Sequence, residues 1–164
     1  MPAFTPEAVR AAGLPDLEVR VAAAERAAAT SLPSADEEVW RYSRIGELDL
    51  ERFTPGRART TVTAPDGVHV VHGGSLADRD DSADAVDVFH ELNRAFADAV
   101  VVSVPRGRVV EQPVVVTHHV EQADTAVFPR LIIDAGDDSE LTVVEQFVSP
   151  DGLVALVVPR LEVD

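Results

Sequence analysis

The chain reads as mainly β with a helical N-terminal region. Two observations predict this. The first third carries helix caps and Pro or Gly boundaries around Ala-, Glu- and Arg-rich stretches. After residue 99, five β-branched runs start 14, 13, 14 and 12 residues apart with no helical stretch between them. Two regions follow: a helical one over 1–58, and a β core over 59–164 that includes a helix at about 84–98.

Thr5 can cap a short helix with Pro6 at its first position and Gly13 at its end. Pro15 opens a second, Ala-rich helix from about Asp16 to Ala29, halted by T-S-L-P-S at 30–34. Ser34 and Glu37 form a capping box for a third helix carrying Val39, Trp40 and Tyr42, with Trp40 as a structural anchor. T-P-G-R-A-R-T at 54–60 is a hinge-like break.

Arg59 to Ala64 and Val68 to His72 read as strands separated by the turn Pro65-Asp66-Gly67. In the helix at about 84–98, Phe89, Leu92 and Phe96 form one apolar stripe, read as a lid on the sheet, with Asp84 as the N-cap. The later β segments are Val100–Val104, Val114–His119, Val127–Ile133, Leu141–Val148 and Leu153–Val158. Their spacing suits a solenoid or a meander and does not choose between them. The last strand runs into P-R-L-E-V-D without a terminating helix or cap, as if the chain were cut at Asp164.

Composition excludes several chemistries. All fourteen basic residues are Arg, so neither a Walker A lysine nor a Schiff-base lysine is present. The absence of Cys removes thiolate nucleophiles, structural zinc clusters and Cys-ligated iron–sulfur centres from these residues. Residues 61–164 hold 6 Arg against 19 acids, a balance that repels phosphate backbones and argues against nucleic-acid binding. No apolar run is long enough to span a bilayer, and M-P-A-F-T-P-E lacks a secretory h-region, so a cytoplasmic location is expected.

Candidate sites are few. His69 and His72 are three apart on a strand, and His118 and His119 are adjacent, so neither pair shares a face and no metal site is expected. H-G-G-S at 72–75 resembles an esterase oxyanion loop, but no G-x-S-x-G elbow accompanies it, and the glycines read as a turn. The acidic stretch 78–87 fails as an EF-hand, with Ala83 where Gly belongs and Phe89 where Glu belongs. Glu140 and Glu145 are five apart, hence on opposite faces, and no catalytic residue is expected.

Three pieces, in order, carry a family resemblance: E-E-V-W-R-Y-S-R-I-G-E-L-D-L, then F-H-E-L-N-R-A-F-A-D-A-V-V-V-S-V-P-R-G-R-V-V-E-Q-P-V, then F-P-R-L-I-I-D-A-G-D-D-S-E-L-T-V-V-E-Q-F. They are similar to the Trp-Arg-Tyr and Leu-Asp-Leu segments, the Leu-Asn-x-Ala-Phe helix, the Val-Pro-x-Gly turn, the Glu-x-Pro rung and the Pro-Arg strand of the SufB/SufD family. That family belongs to the SUF iron–sulfur cluster assembly system. The short helical N-terminus resembles the SufD branch.

The resemblance implies a right-handed parallel β-helix, here truncated, in a cytosolic, non-catalytic scaffold subunit. Its implied partners are SufB, paired through the β-helices, and the ATPase SufC, docked on C-terminal helices. The implied complex builds iron–sulfur clusters, and some such complexes associate with flavin. No cofactor is expected on this segment itself. The match covers only the N-terminal portion of the family, and none of His69, His72, His90, His118 or His119 falls in a matching motif. Two other classes compete. A cupin-like metal enzyme would need a His-x-His pair where the chain has His-His and His-x-x-His. A generic acidic β-rich interaction module would need no SUF partner.

Overall fold

The computed structural model describes residues 3–76 and 87–164, and these fall into two compact units. The first comprises 1–55 and 75–96, the second 56–74 and 97–164. Among the described residues the chain is a mix of three α-helices and three small sheets.

The first unit is helical for the local reasons its sequence suggests. In α1 (Pro6–Ala12), Thr5 Oγ1 accepts from the Ala8 N–H at 3.2 Å, and Gly13 closes the helix at φ 63°. α2 (Leu17–Ala29) buries Ala23, Ala24 and Ala27, small residues that let a neighbouring helix approach closely. That neighbour is α3 (Val88–Phe96), which buries Val88, Leu92 and Phe96. Asp84 lies outside the described residues. The α3 cap is Asp87, whose Oδ1 accepts from the N–H groups of Phe89 and His90 at 2.9 and 3.2 Å.

Three expectations for this region need correction. The stripe on α3, expected to face the sheet, meets aromatic residues of its own unit: Phe96 lies edge-on to Phe4 at 5.8 Å and Phe89 against Trp40 at 5.5 Å. α3 accordingly groups with the N-terminal helices and not with the β core. The third helix does not form. Ser34 N–H does donate to Glu37 Oε1 at 2.9 Å, but residues 35–43 make successive i→i+3 turns. Val39 and Tyr42 are 82% and 94% exposed, so this segment has no apolar face whose burial would sustain an α-helix.

The second unit is all β. β1 (Thr54–Gly56) spans the unit boundary. β2 (Arg59–Thr63) and β3 (His69–His72) are joined by the Pro65-Asp66-Gly67 turn, with Gly67 at φ 85°, yet they do not pair with each other. β2 runs antiparallel to β5 (Val114–His119), and β3 runs antiparallel to β4 (Asp98–Val104). The turn therefore carries the chain from one sheet to another.

Four further pairings are parallel. β4 pairs with β7 (Pro129–Ala135) at an offset of 31 residues, and β5 pairs with β8 (Val143–Val148) at 29. β6 (Thr125–Val127) pairs with β9 (Leu156–Val157) at 30, as β7 does with β10 (Arg160–Val163). A meander would have paired successive strands antiparallel. The single segment expected over Val127–Ile133 is two strands in different sheets, broken at the buried Phe128. Val100, Val102, Val114, Val116, Leu131 and Ile133 form the core. Each such side chain, fully buried, contributes about 1.5–3 kcal/mol.

The turns between strands stack as well. Gly107 N–H donates to Asp137 O at 2.8 Å, Val110 N–H to Glu140 O at 2.8 Å, and Glu140 N–H to Arg108 O at 2.9 Å. β8 and β10 form edges of their sheets, where Val144, Phe147, Val148, Leu161 and Val163 are exposed.

Candidate functional site

Alternation along β5 sends Val114, Val116 and His118 to the core and leaves His119 half-buried on the other face. His118 is wholly buried, and the two strands flanking β5 supply its partners. From β2, Thr60 Oγ1 lies 2.8 Å from His118 Nδ1. From β8, Glu145 Oε1 lies 3.0 Å from Nε2. Phe147, in register with His118, stacks on the ring at a centroid distance of 5.0 Å.

The polarity of these bonds follows from the donor inventory. An ionised carboxylate only accepts, so Nε2 carries a hydrogen, and in the neutral ring Nδ1 then accepts from the Thr60 hydroxyl. A hydroxyl, an imidazole and a carboxylate in line suggest proton transfer. The ring, however, presents no atom to solvent, so a dissolved substrate has no access to either nitrogen. What the arrangement does is tie three strands together through one side chain.

The reverse face of the same sheet is polar and open. Arg59 donates to Glu121 at 2.8 Å, and this bond holds the Glu121 carboxyl below the usual range. Thr61 Oγ1 and His119 Nε2 are 3.4 Å apart, and Gln146 donates to Thr117 at 2.7 Å.

The other sequence candidates are dispersed. His69 and His72 are both exposed on β3 and point to opposite sides. His69 borders a cavity of about 420 Å³ with Ser103, Arg106 and Asp134. His90 is half-buried, its Nδ1 3.9 Å from Asp87. Glu140 is exposed just before β8, while Glu145 turns inward. The glycines of H-G-G-S form a turn in which Gly73 N–H donates to Ala99 O at 2.8 Å. Residues 78–86 of the acidic stretch lie outside the described residues. No group of three or more His, Cys, Asp or Glu that could hold a metal ion occurs among the described residues. No described helix is long and apolar enough to cross a membrane.

Two features were missed by sequence reasoning. Arg130 on β7 is completely buried and forms an ion pair with Glu162 on β10, whose Oε1 also lies 2.9 Å from Arg160 Nε. The His118–Glu145 pair is the other. Both residues sit in the inward phase of their strands, a signal that becomes readable once the 29-residue register is known.

No protein-family model matches the chain, and no curated protein matches it.

Proposed function

We propose that this chain is the N-terminal part of a SufD-like scaffold subunit of a cytoplasmic SUF complex, built on a right-handed parallel β-helix and without catalytic activity of its own. The observation that carries the reading is the near-constant offset of 29 to 31 residues across four parallel ladders in three sheets. Strands that advance by one repeat and pair in parallel are what stacked coils require. The resembling motifs fall at stacking points. Val-Pro-Arg-Gly at 104–107 is the turn bonded to Asp137, and Phe-Pro-Arg at 128–130 is the corner leading into β7.

A scaffold role agrees with a His118 ring that is wholly buried among the strands. The partners under this reading are SufB and SufC, and the iron–sulfur cluster is cargo of the whole complex. The test is deletion of the encoding gene, followed by measurement of the holo-fraction of an iron–sulfur enzyme such as aconitase under iron limitation. The reading expects that fraction to fall and to recover on complementation, with iron-independent enzymes unchanged. An unchanged holo-fraction would count against it.

A further inference from the structure

We infer that the exposed edge of β8 is a docking surface for a second copy of this chain, whose own β8 pairs with it antiparallel about a two-fold axis at Gln146. The inference is independent of the SUF reading and concerns the edge that these residues present. β8 is paired on one side only, to β5. Sheet edges are ordinarily guarded by Lys, Pro, a bulge or a covering segment. Val143–Val148 contains no Lys and no Pro, and Val144, Phe147 and Val148 stay exposed along it. Its one acid, Glu145, is turned inward and bonded to His118. The opposite edge of the same sheet, β2, presents Arg59, Thr61 and Thr63 instead.

The backbone fixes which residues can meet. Val114 N–H donates to Thr142 O, and Val120 N–H to Val148 O. In a parallel ladder this alternation directs the even-numbered residues of β8 to β5. The N–H and C=O groups of Val143, Glu145 and Phe147 are left facing the open side. An antiparallel partner must therefore set odd-numbered residues against odd ones. Two registers do so while overlapping most of the strand. Centred on Glu145, the pairing opposes two carboxylates, which is unfavourable. Centred on Gln146, it sets Val144 against Val148 of the second copy, Gln146 against Gln146, and Glu145 against Phe147. Each exposed valine then gains an apolar neighbour, and no like charges meet. Val143 of the second copy comes opposite Ser149, at the rim of an apolar pocket of about 110 Å³ lined by Phe147, Leu153 and Val157. Such self-complementarity is what a two-fold interface requires of a single surface.

Charge selects the same occupant. The chain carries a formal net charge of −15, yet the outward side chains of β8 are Val144, Gln146 and Val148, all uncharged. A basic partner would find nothing to pair with along this edge, whereas a strand of valines and an amide does. Two copies repel at a distance through their net charge, so their association strengthens as salt is added.

The experiment uses the 164-residue chain, whose lack of cysteine lets a single introduced thiol report on proximity. Residues opposed at Gln146 form a non-hydrogen-bonded pair with Cα atoms about 4.5 Å apart, within disulfide range. Gln146→Cys should cross-link to a covalent dimer under oxidised glutathione, and Thr61→Cys on the other edge should not. Sedimentation of the parent should show a dimer whose share rises with concentration and with salt. Val144→Lys should weaken that dimer about tenfold or more, because the two-fold repeats the change on both sides. Adding Val148→Glu should restore it, since the register brings those two positions together. Should Val144→Lys fail to fold, the cross-linking comparison and the salt series decide the question by themselves. A monomer at every concentration and salt, cross-linking of Gln146→Cys no faster than that of Thr61→Cys, or a folded double variant no better than Val144→Lys would each overturn the pairing.

Discussion

Gly136 lies against the backbone of Arg106: a Cβ built on it would sit 2.4 Å from the Arg106 nitrogen and 2.8 Å from its Cα. The approach is part of turn stacking, because Gly136 N–H donates to Val104 O at 2.9 Å and Gly107 N–H reaches Asp137 O one residue further on. Backbone cannot move aside as a flexible side chain can. Gly136→Ala should therefore destabilise the second unit by about 1–3 kcal/mol, the cost of overpacking a close contact. An unchanged urea midpoint would show that the two turns are not packed this closely.

In the first unit, Glu91 is buried on α3 and Arg26 of α2 grips both its oxygens at 2.7 and 3.0 Å. Arg26 keeps 41% of its side chain in solvent, so the pair is worth less than a fully buried one. Removing the arginine still strands a buried carboxylate. Arg26→Ala should cost about 1–3 kcal/mol, and adding Glu91→Gln should recover part of that loss. Denaturation of the single and double variants checks the pair, and a double variant weaker than Arg26→Ala alone would refute the assignment.

Trp40 is half-buried against Phe89 and not sealed in a core. Full burial would make Trp40→Ala a loss of about 3–5 kcal/mol. Partial burial with one aromatic contact lowers the expectation to about 1–3 kcal/mol. Thermal melts distinguish these, and a shift at the larger value would mean that the ring is covered more fully.

Under the SUF reading, residues 1–164 by themselves should not recruit SufC. The family resemblance stops short of the C-terminal helices on which that ATPase docks. Titration of purified SufC with the isolated chain, followed by calorimetry or size exclusion, should show no complex. Tight binding would place the SufC surface within these residues.

Much of the local structure was legible in the sequence, because caps and turns act over three or four residues. Thr5, Pro6 and Gly13 bound α1 as read, and Val114–His119 is a strand with the expected bounds. What escaped was long-range. Ser34 and Glu37 make their capping bond, yet no helix follows, since a cap satisfies one end without supplying a face to bury. Evenly spaced β segments hid the larger repeat because Val127–Ile133 reads as one strand despite Pro129, whereas the chain changes sheet at Phe128. The His118–Glu145 pair spans 27 residues and depends on register, which no local pattern encodes. Considering Glu145 with Glu140 compared neighbours in sequence, whereas the partner lay one strand away.

The scaffold assignment under the SUF reading names two partners, SufB and SufC. Its most direct test is to tag the native gene product at its chromosomal locus, isolate it at native expression and identify its stable partners by mass spectrometry. The account predicts SufB and SufC in near-stoichiometric amounts. A product recovered alone, or in a stable complex lacking both, would contradict it.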